Sequence, residues 1–116
     1  MAGLTQSTCV PCRGGIPPLT AEQIAPLKAQ VPAWEVARVD GIDRLRRAYT
    51  FPDFRSAMAF AVHAGMIAER EDHHPDLHVS WGKVVVETWT HKIGGLHAND
   101  FILAAKLDTI GQPAAS

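Results

Sequence analysis

The stretch Glu69-Arg70-Glu71-Asp72-His73-His74-Pro75-Asp76 decides how the chain is read, because the periodicity of the sequence changes across it. Upstream, Pro52-Asp53 opens a helical pattern in which Asp53 can cap. Phe54, Met58, Ala61, Val62, Gly65 and Ile67-Ala68 form its expected apolar stripe, and the helix runs to about Glu71. Pro75 cannot continue a helix and pushes His74 toward extended geometry. Downstream, Leu77, Val79 and Trp81 alternate with His78 and Ser80, which predicts a strand. A tight turn at Gly82-Lys83 leads into a further strand over residues 83–91, with Val84, Val86, Thr88 and Thr90 on one face and Val85, Glu87, Trp89 and His91 on the other. That turn matches residue 79 with about 86 and residue 74 with about 91, so His91 is expected beside His73 and His74.

Working outward, Thr20-Ala21-Glu22-Gln23 has the form of a capping box, and Ile24, Leu27 and Val31 follow at helical spacing. This short helix is expected to reach about Gln30, weakened by Pro26 and ended by Pro32. Trp34, Val36 and Arg38 then alternate with Glu35, Ala37 and Val39, and Asp40-Gly41 signals a hairpin. The returning strand should turn Tyr49 and Phe51 toward the core. After Gly94-Gly95, a last helix carries Phe101, Ile102, Ala104, Ala105 and Leu107-Asp108 on its expected apolar face. The order α-β-β-α-β-β-α predicts an α+β fold, a single four-stranded antiparallel sheet with helices packed on one face. Residues 1–18 read as a flexible tail, 19–110 as the domain, and 111–116 as a second tail.

A length of 116 residues fits one domain, and 47% hydrophobic with 20% charged residues suits a chain with a buried core. A net charge of −1 argues against a nucleic-acid or membrane surface, and no apolar run approaches the roughly 20 residues of a membrane span. With no secretory signal pattern, the expected location is cytoplasmic. Arg44, Arg46 and Arg47 fit a solvated sheet face better than a phosphate site. In Cys9-Val10-Pro11-Cys12, the CxxC can be redox-active, can supply half of a zinc site, or can be incidental. No second CxxC completes a zinc site, so Cys9 and Cys12 remain only an alternative metal assignment.

Three readings compete for His73, His74 and His91. The imidazoles can cap the helix C-terminus, where a positive ring is favoured by the dipole. They can bind a metal, although Pro75 prevents His74 and His78 from sharing one helical turn. Or they can work as acids and bases near neutral pH, with Glu69 and Asp72 orienting them. No nucleophile motif, phosphate loop or dinucleotide fingerprint competes elsewhere in the chain.

Glu69-x-x-Asp72-His73-His74-Pro75, then Trp81, Lys83-Val84, Thr90-His91, Gly95-Leu96 and Asp100, resembles the pterin-4a-carbinolamine dehydratase family. Trp34 and Phe51-x-Asp53-Phe54 extend the resemblance, which covers residues 20–108. It implies a homodimer or homotetramer that dehydrates 4a-hydroxytetrahydropterins to quinonoid dihydropterins, without metal or organic cofactor. Such proteins support the tetrahydrobiopterin recycling that aromatic amino acid hydroxylases require. The resemblance also implies catalytic roles for His73, His74 and His91, and substrate contacts from Asp72, His73, His74, Trp89, Thr90, His91 and Lys92. Glu69, Pro75 and Asp100 are the implied supporting residues. Leu77, Thr88 and Trp89 depart from the usual family pattern. The family fold also serves as a protein-interaction module, including a coactivator of a homeodomain transcription factor, which is the alternative function.

Overall fold

Residues 3–10 and 14–111 are described by a computed structural model of the chain. The helices are α1 (Ala21–Lys28), α2 (Phe54–Glu71) and α3 (Ala98–Ile110). The strands are β1 (Glu35–Val39), β2 (Ile42–Thr50), β3 (Asp76–Ser80) and β4 (Lys83–Thr88). All strand pairs are antiparallel and the sheet order is β1-β2-β4-β3. This is the expected α+β architecture. The expected capping box at α1 is formed, with Thr20 accepting from the Gln23 N–H. Asp40 and Gly41, both at positive φ, make the first hairpin turn.

Leu45, Tyr49, Val84 and Val86 are buried under the helices, whereas Arg44, Arg46, Val85 and Glu87 lie on the opposite face. The core side of α2 is Ala57, Phe60, Ala61, Ala64, Ile67 and Ala68, spaced three and four apart. That corrects the expected stripe. Phe54, Met58 and Val62 are exposed, because the small alanines are what allow the helix to lie close to its neighbours. His63 is also exposed.

The second hairpin differs from expectation by two residues. Val79 pairs with Val84 and Ser80 with Lys83, so the turn is Trp81-Gly82. Gly82 is fixed there by its neighbour strand: its carbonyl accepts from the Phe51 N–H at 2.8 Å. A Cβ at Gly82 would stand 2.9 Å from the Phe51 carbonyl oxygen, so only glycine fits this approach. β4 also ends earlier than expected. Thr90 bridges back to Gly95, and His91–Ile93 form a 3-10 turn.

The reading of residues 1–18 as a flexible tail does not describe the part that is placed. Leu4 joins the core, and residues 4–10 lie against α3. Of the residues expected in the second tail, Gly111 closes α3 and 112–116 lie outside the described residues.

One carboxylate ties α3 to the first hairpin. Asp108 Oδ1 accepts from Trp34 Nε1 at 2.9 Å, from an Arg47 guanidinium N–H at 2.7 Å, and from the Tyr49 hydroxyl. Burial, and then the Asp108 hydrogen bond, push the Tyr49 phenol far up, so it remains a donor. Trp34 and Tyr49 are buried, and a buried donor without a partner costs about 1–3 kcal/mol. Asp108→Ala is therefore expected to lose about 3 kcal/mol of stability in urea unfolding, with a loss below about 1 kcal/mol refuting the assignment.

Candidate functional site

The site begins with the way α2 stops. Asp72 adopts the left-handed conformation (φ 53°, ψ 41°), and its N–H reaches the carbonyls of Ala68 and Glu69. The His73 N–H then donates to the Ala68 carbonyl at 3.1 Å. This is a Schellman closure with aspartate at the position usually taken by glycine. The helix thus ends four residues before Pro75, where β3 is about to begin. The reversal sends His73 inward and leaves His74 exposed.

His73 meets Asp100, which is fully buried at the start of α3. His73 Nε2 lies 2.6 Å from Asp100 Oδ1. The same oxygen accepts from Thr88 Oγ1 at 2.7 Å, while Oδ2 accepts from Thr90 Oγ1 at 2.9 Å and the His97 N–H at 3.0 Å. An ionised carboxylate only accepts, so His73 Nε2 carries the proton and Nδ1 is left for a ligand. His97 completes the cap: its Nδ1 accepts from the Asn99 N–H at 3.0 Å.

His74 Nε2 lies 2.6 Å from Glu69 Oε2, in an exposed pair one turn along α2. His91 stacks on Trp89, ring centroids 4.3 Å apart and planes 23° from parallel. The guanidinium of Arg44 lies 3.9 Å from the centre of the same indole. Arg44 and Arg46 both bond to Glu87, so the arginine cluster is ion-paired instead of simply solvated. Arg44, Glu87 and Thr88 were not anticipated as site residues. Their spacing carries no motif, and only the pairing of β2 with β4 brings them together.

A cavity of about 380 Å³ is lined by Asp72, His73, His74, Trp89, Thr90, His91 and Lys92. The two sequence segments singled out for substrate contact therefore meet at one concave surface. Its size falls in the range of small-ligand sites. Glu69, Pro75 and Asp100 do not line it. Glu69 and Asp100 each bond a histidine that does.

The family model described as pterin 4 alpha carbinolamine dehydratase matches residues 17–110. The chain belongs to this family. A Chlorobium limicola protein named "Putative pterin-4-alpha-carbinolamine dehydratase" is 51% identical, the match covering 91% of this chain and 94% of that one. A Syntrophotalea carbinolica protein of the same name is 47% identical over 95% and 98% of the two chains. The crystal structure of a transcriptional coactivator/pterin dehydratase from Brucella melitensis superposes with a TM-score of 0.74 at 29% identity, covering 82% of this chain and 99% of that one. Two departures from the pterin dehydratase family pattern now have contacts to explain them: Thr88 holds Asp100, and Trp89 backs His91.

Among the described residues, no three His, Cys, Asp or Glu side chains are grouped so as to hold a metal ion, and no helix is long and apolar enough to cross a membrane. Cys12 lies outside the described residues. Burial and the nearby Glu71 carboxylate push the Cys9 thiol up to about 12, so it is protonated near neutral pH.

Burial alone would raise the Glu87 carboxyl, but the hydrogen bonds from Arg44 and Arg46 hold it below the usual range. A folded value below the unfolded one stabilises the protein fully above the unfolded carboxyl value, about pH 4.3, and that gain fades as pH falls through the folded value. Urea unfolding between pH 7 and pH 3 (the range of the titration) should thus show a shallower acid loss for Glu87→Gln than for the wild type. Equal slopes would exclude Glu87 as a contributor.

Proposed function

We propose that this protein dehydrates 4a-hydroxytetrahydropterins to quinonoid dihydropterins by histidine acid–base catalysis, and so serves pterin recycling beside an aromatic amino acid hydroxylase. The observation that carries the proposal is the cavity in which His73, His74 and His91 share one lining with Trp89, Thr90 and Lys92. The family membership and the names of the relatives support the substrate class.

The reaction breaks the C4a–OH bond, removes the proton from N5 and forms the C4a=N5 double bond, with one water leaving. It needs a proton donor at the hydroxyl and an acceptor at N5, and no electron transfer. His73 and His91 are assigned as the donors to the departing hydroxyl. Asp100 fixes the His73 ring through Nε2–H, so His73 acts as a donor in its imidazolium form, giving up the Nδ1 proton and keeping the one on Nε2, and the Trp89 face holds the His91 ring. His74, tethered to Glu69 at the open side, positions the pterin or takes the N5 proton.

The exposed side of α2 supports self-association. Phe54, Met58, Val62 and Met66 are 48%, 39%, 58% and 64% exposed and repeat every four residues, forming one apolar row. We assign this row to a second copy of the chain, in a dimer or tetramer.

Two measurements test these assignments. Followed against the decay of enzymatically generated 4a-carbinolamine, single Ala variants at His73 or His91 should lose roughly 10²–10⁴-fold in rate. The double variant should leave only the uncatalysed rate; near-normal turnover by it would overturn the mechanism. In light scattering, the pair Met58→Glu and Val62→Glu should reduce the mass of the wild-type oligomer, and a monomeric wild type would overturn the self-association.

A further inference from the structure

Asn99, Glu71 and the loop over residues 91–96 carry contacts that the acid–base chemistry does not use, and all of them lead to the N-terminal segment. Asn99 is 2% exposed, and its side chain grips one backbone residue from both sides. Its Oδ1 accepts from the Val10 N–H at 3.0 Å, and its Nδ2 donates to the Val10 carbonyl at 2.7 Å. The Asn99 carbonyl also accepts from Cys9 Sγ at 3.5 Å. The Cys9 N–H donates to Glu71 Oε1 at 2.9 Å, and Lys106 Nζ donates to Glu71 Oε2 at 2.7 Å.

The same segment then follows the other wall of the site. A Cβ on Gly14 would stand 3.8 Å from the Lys92 carbonyl oxygen, so this backbone runs beside the loop. Pro18 packs so closely on Gly95 that a Cβ there would fall 2.6 Å from it. The Leu19 N–H donates to the Leu96 carbonyl at 2.9 Å.

Each anchor point adjoins a site residue in the chain. Glu71 is the last residue of α2, two before His73; Asn99 directly precedes Asp100; Lys92 directly follows His91. The hydrogen bond between His73 and Asp100 spans the α2 end and the α3 start, and these are the two elements that Cys9 and Val10 join. Val10 is 55% exposed, and what is held at that point is the backbone and its two polar groups. A contact of this kind fixes position without filling the core.

We propose that residues 4–10 and 14–19 are a strap that assembles the site, with Asn99 as the positioning residue that holds the α3 start at the right distance for Asp100 to orient His73. Its catalytic consequence rests on the dehydratase reading; its structural consequence does not. A displacement of about 1 Å in a catalytic group is enough to cost roughly 10²-fold in rate.

The test uses the full chain with Val10→Pro and Asn99→Ala. Val10→Pro removes the N–H that Asn99 holds and fixes φ at an exposed residue outside the core, so it remains informative even if Asn99→Ala fails to fold. The first readout is the low-field proton NMR signal of the His73 Nε2–H, assigned by its absence from His73→Gln. The second is carbinolamine dehydration, with kcat and KM separated. Both folded variants should broaden or shift that signal and lower kcat by roughly 10- to 10²-fold, with KM moving less. Glu22→Ala, an exposed change in α1 outside the strap, should leave both readouts unaltered. Retention of the signal and of kcat within about 2-fold in folded Val10→Pro would overturn the strap, a margin far inside the loss that misplacement predicts. If the wild type proves inactive on pterins while Val10→Pro still disturbs the His73 signal, the dehydratase reading falls and the strap stands.

Discussion

A carboxylate with no exposure to water persists only where hydrogen bonds replace its hydration, and Asp100 meets that demand with four donors. Those donors come from three parts of the chain: the end of α2 gives His73, β4 and its extension give Thr88 and Thr90, and the cap of α3 gives the His97 N–H. None of these can move far without leaving a buried charge short of a partner, an imbalance that costs several kcal/mol. The site is therefore organised by a residue that does not line its cavity. Two of the three cavity walls are registered against it, and the third, around His91, follows from the bridge between Thr90 and Gly95.

The end of α2 matters for a related reason. Two consecutive histidines must reach different partners, and an uninterrupted helix would place them about 100° apart on one cylinder. The left-handed turn at Asp72 and the extended backbone after it separate them further. His73 goes down to a buried carboxylate and His74 out to an exposed one. An aspartate tolerates this conformation better than most residues because its short polar side chain can compensate locally. Its position in the cavity lining means that the residue making the turn also borders the ligand space.

What could be read in the chain was what local chemistry decides. Asp40-Gly41 names its own hairpin, Thr20 and Gln23 name their own cap, and the change of period around Pro75 separates helix from strand. The errors arose where a distant contact decides. The second hairpin turns at Trp81-Gly82 because Gly82 abuts Phe51, thirty-one residues earlier, and no pattern within the hairpin records that. The expected stripe on α2 shares Ala61, Ile67 and Ala68 with the buried face but includes the exposed Phe54, Met58 and Val62 in place of Ala57, Phe60 and Ala64. The N-terminal segment showed no periodicity and so resembled a tail; its anchors lie 62 and 89 residues away in Glu71 and Asn99. The convergence of His73, His74 and His91 was still legible. A two-residue slip keeps every side chain on its own face of the sheet and moves the pairing by only about two residues along the strand.

Three identical side chains in one cavity are not three equivalent groups. His73 is largely buried and bonded to a carboxylate that has no water; His74 is exposed and bonded to a carboxylate that is also exposed; His91 has an indole face in place of an acid. Since a ring nitrogen engaged by a fixed partner is withdrawn from the ligand, each histidine offers a different atom to the cavity with a different freedom to turn. His73 has one free nitrogen on a ring held on its other side. His74 shares its Nε2 with a side chain that solvent can replace, and His91 slides or tilts only as far as its stack with Trp89 allows. The asymmetry comes from the three partners and not from the imidazoles themselves, and it is what the proposed handling of two protons at two atoms of one ligand would draw on.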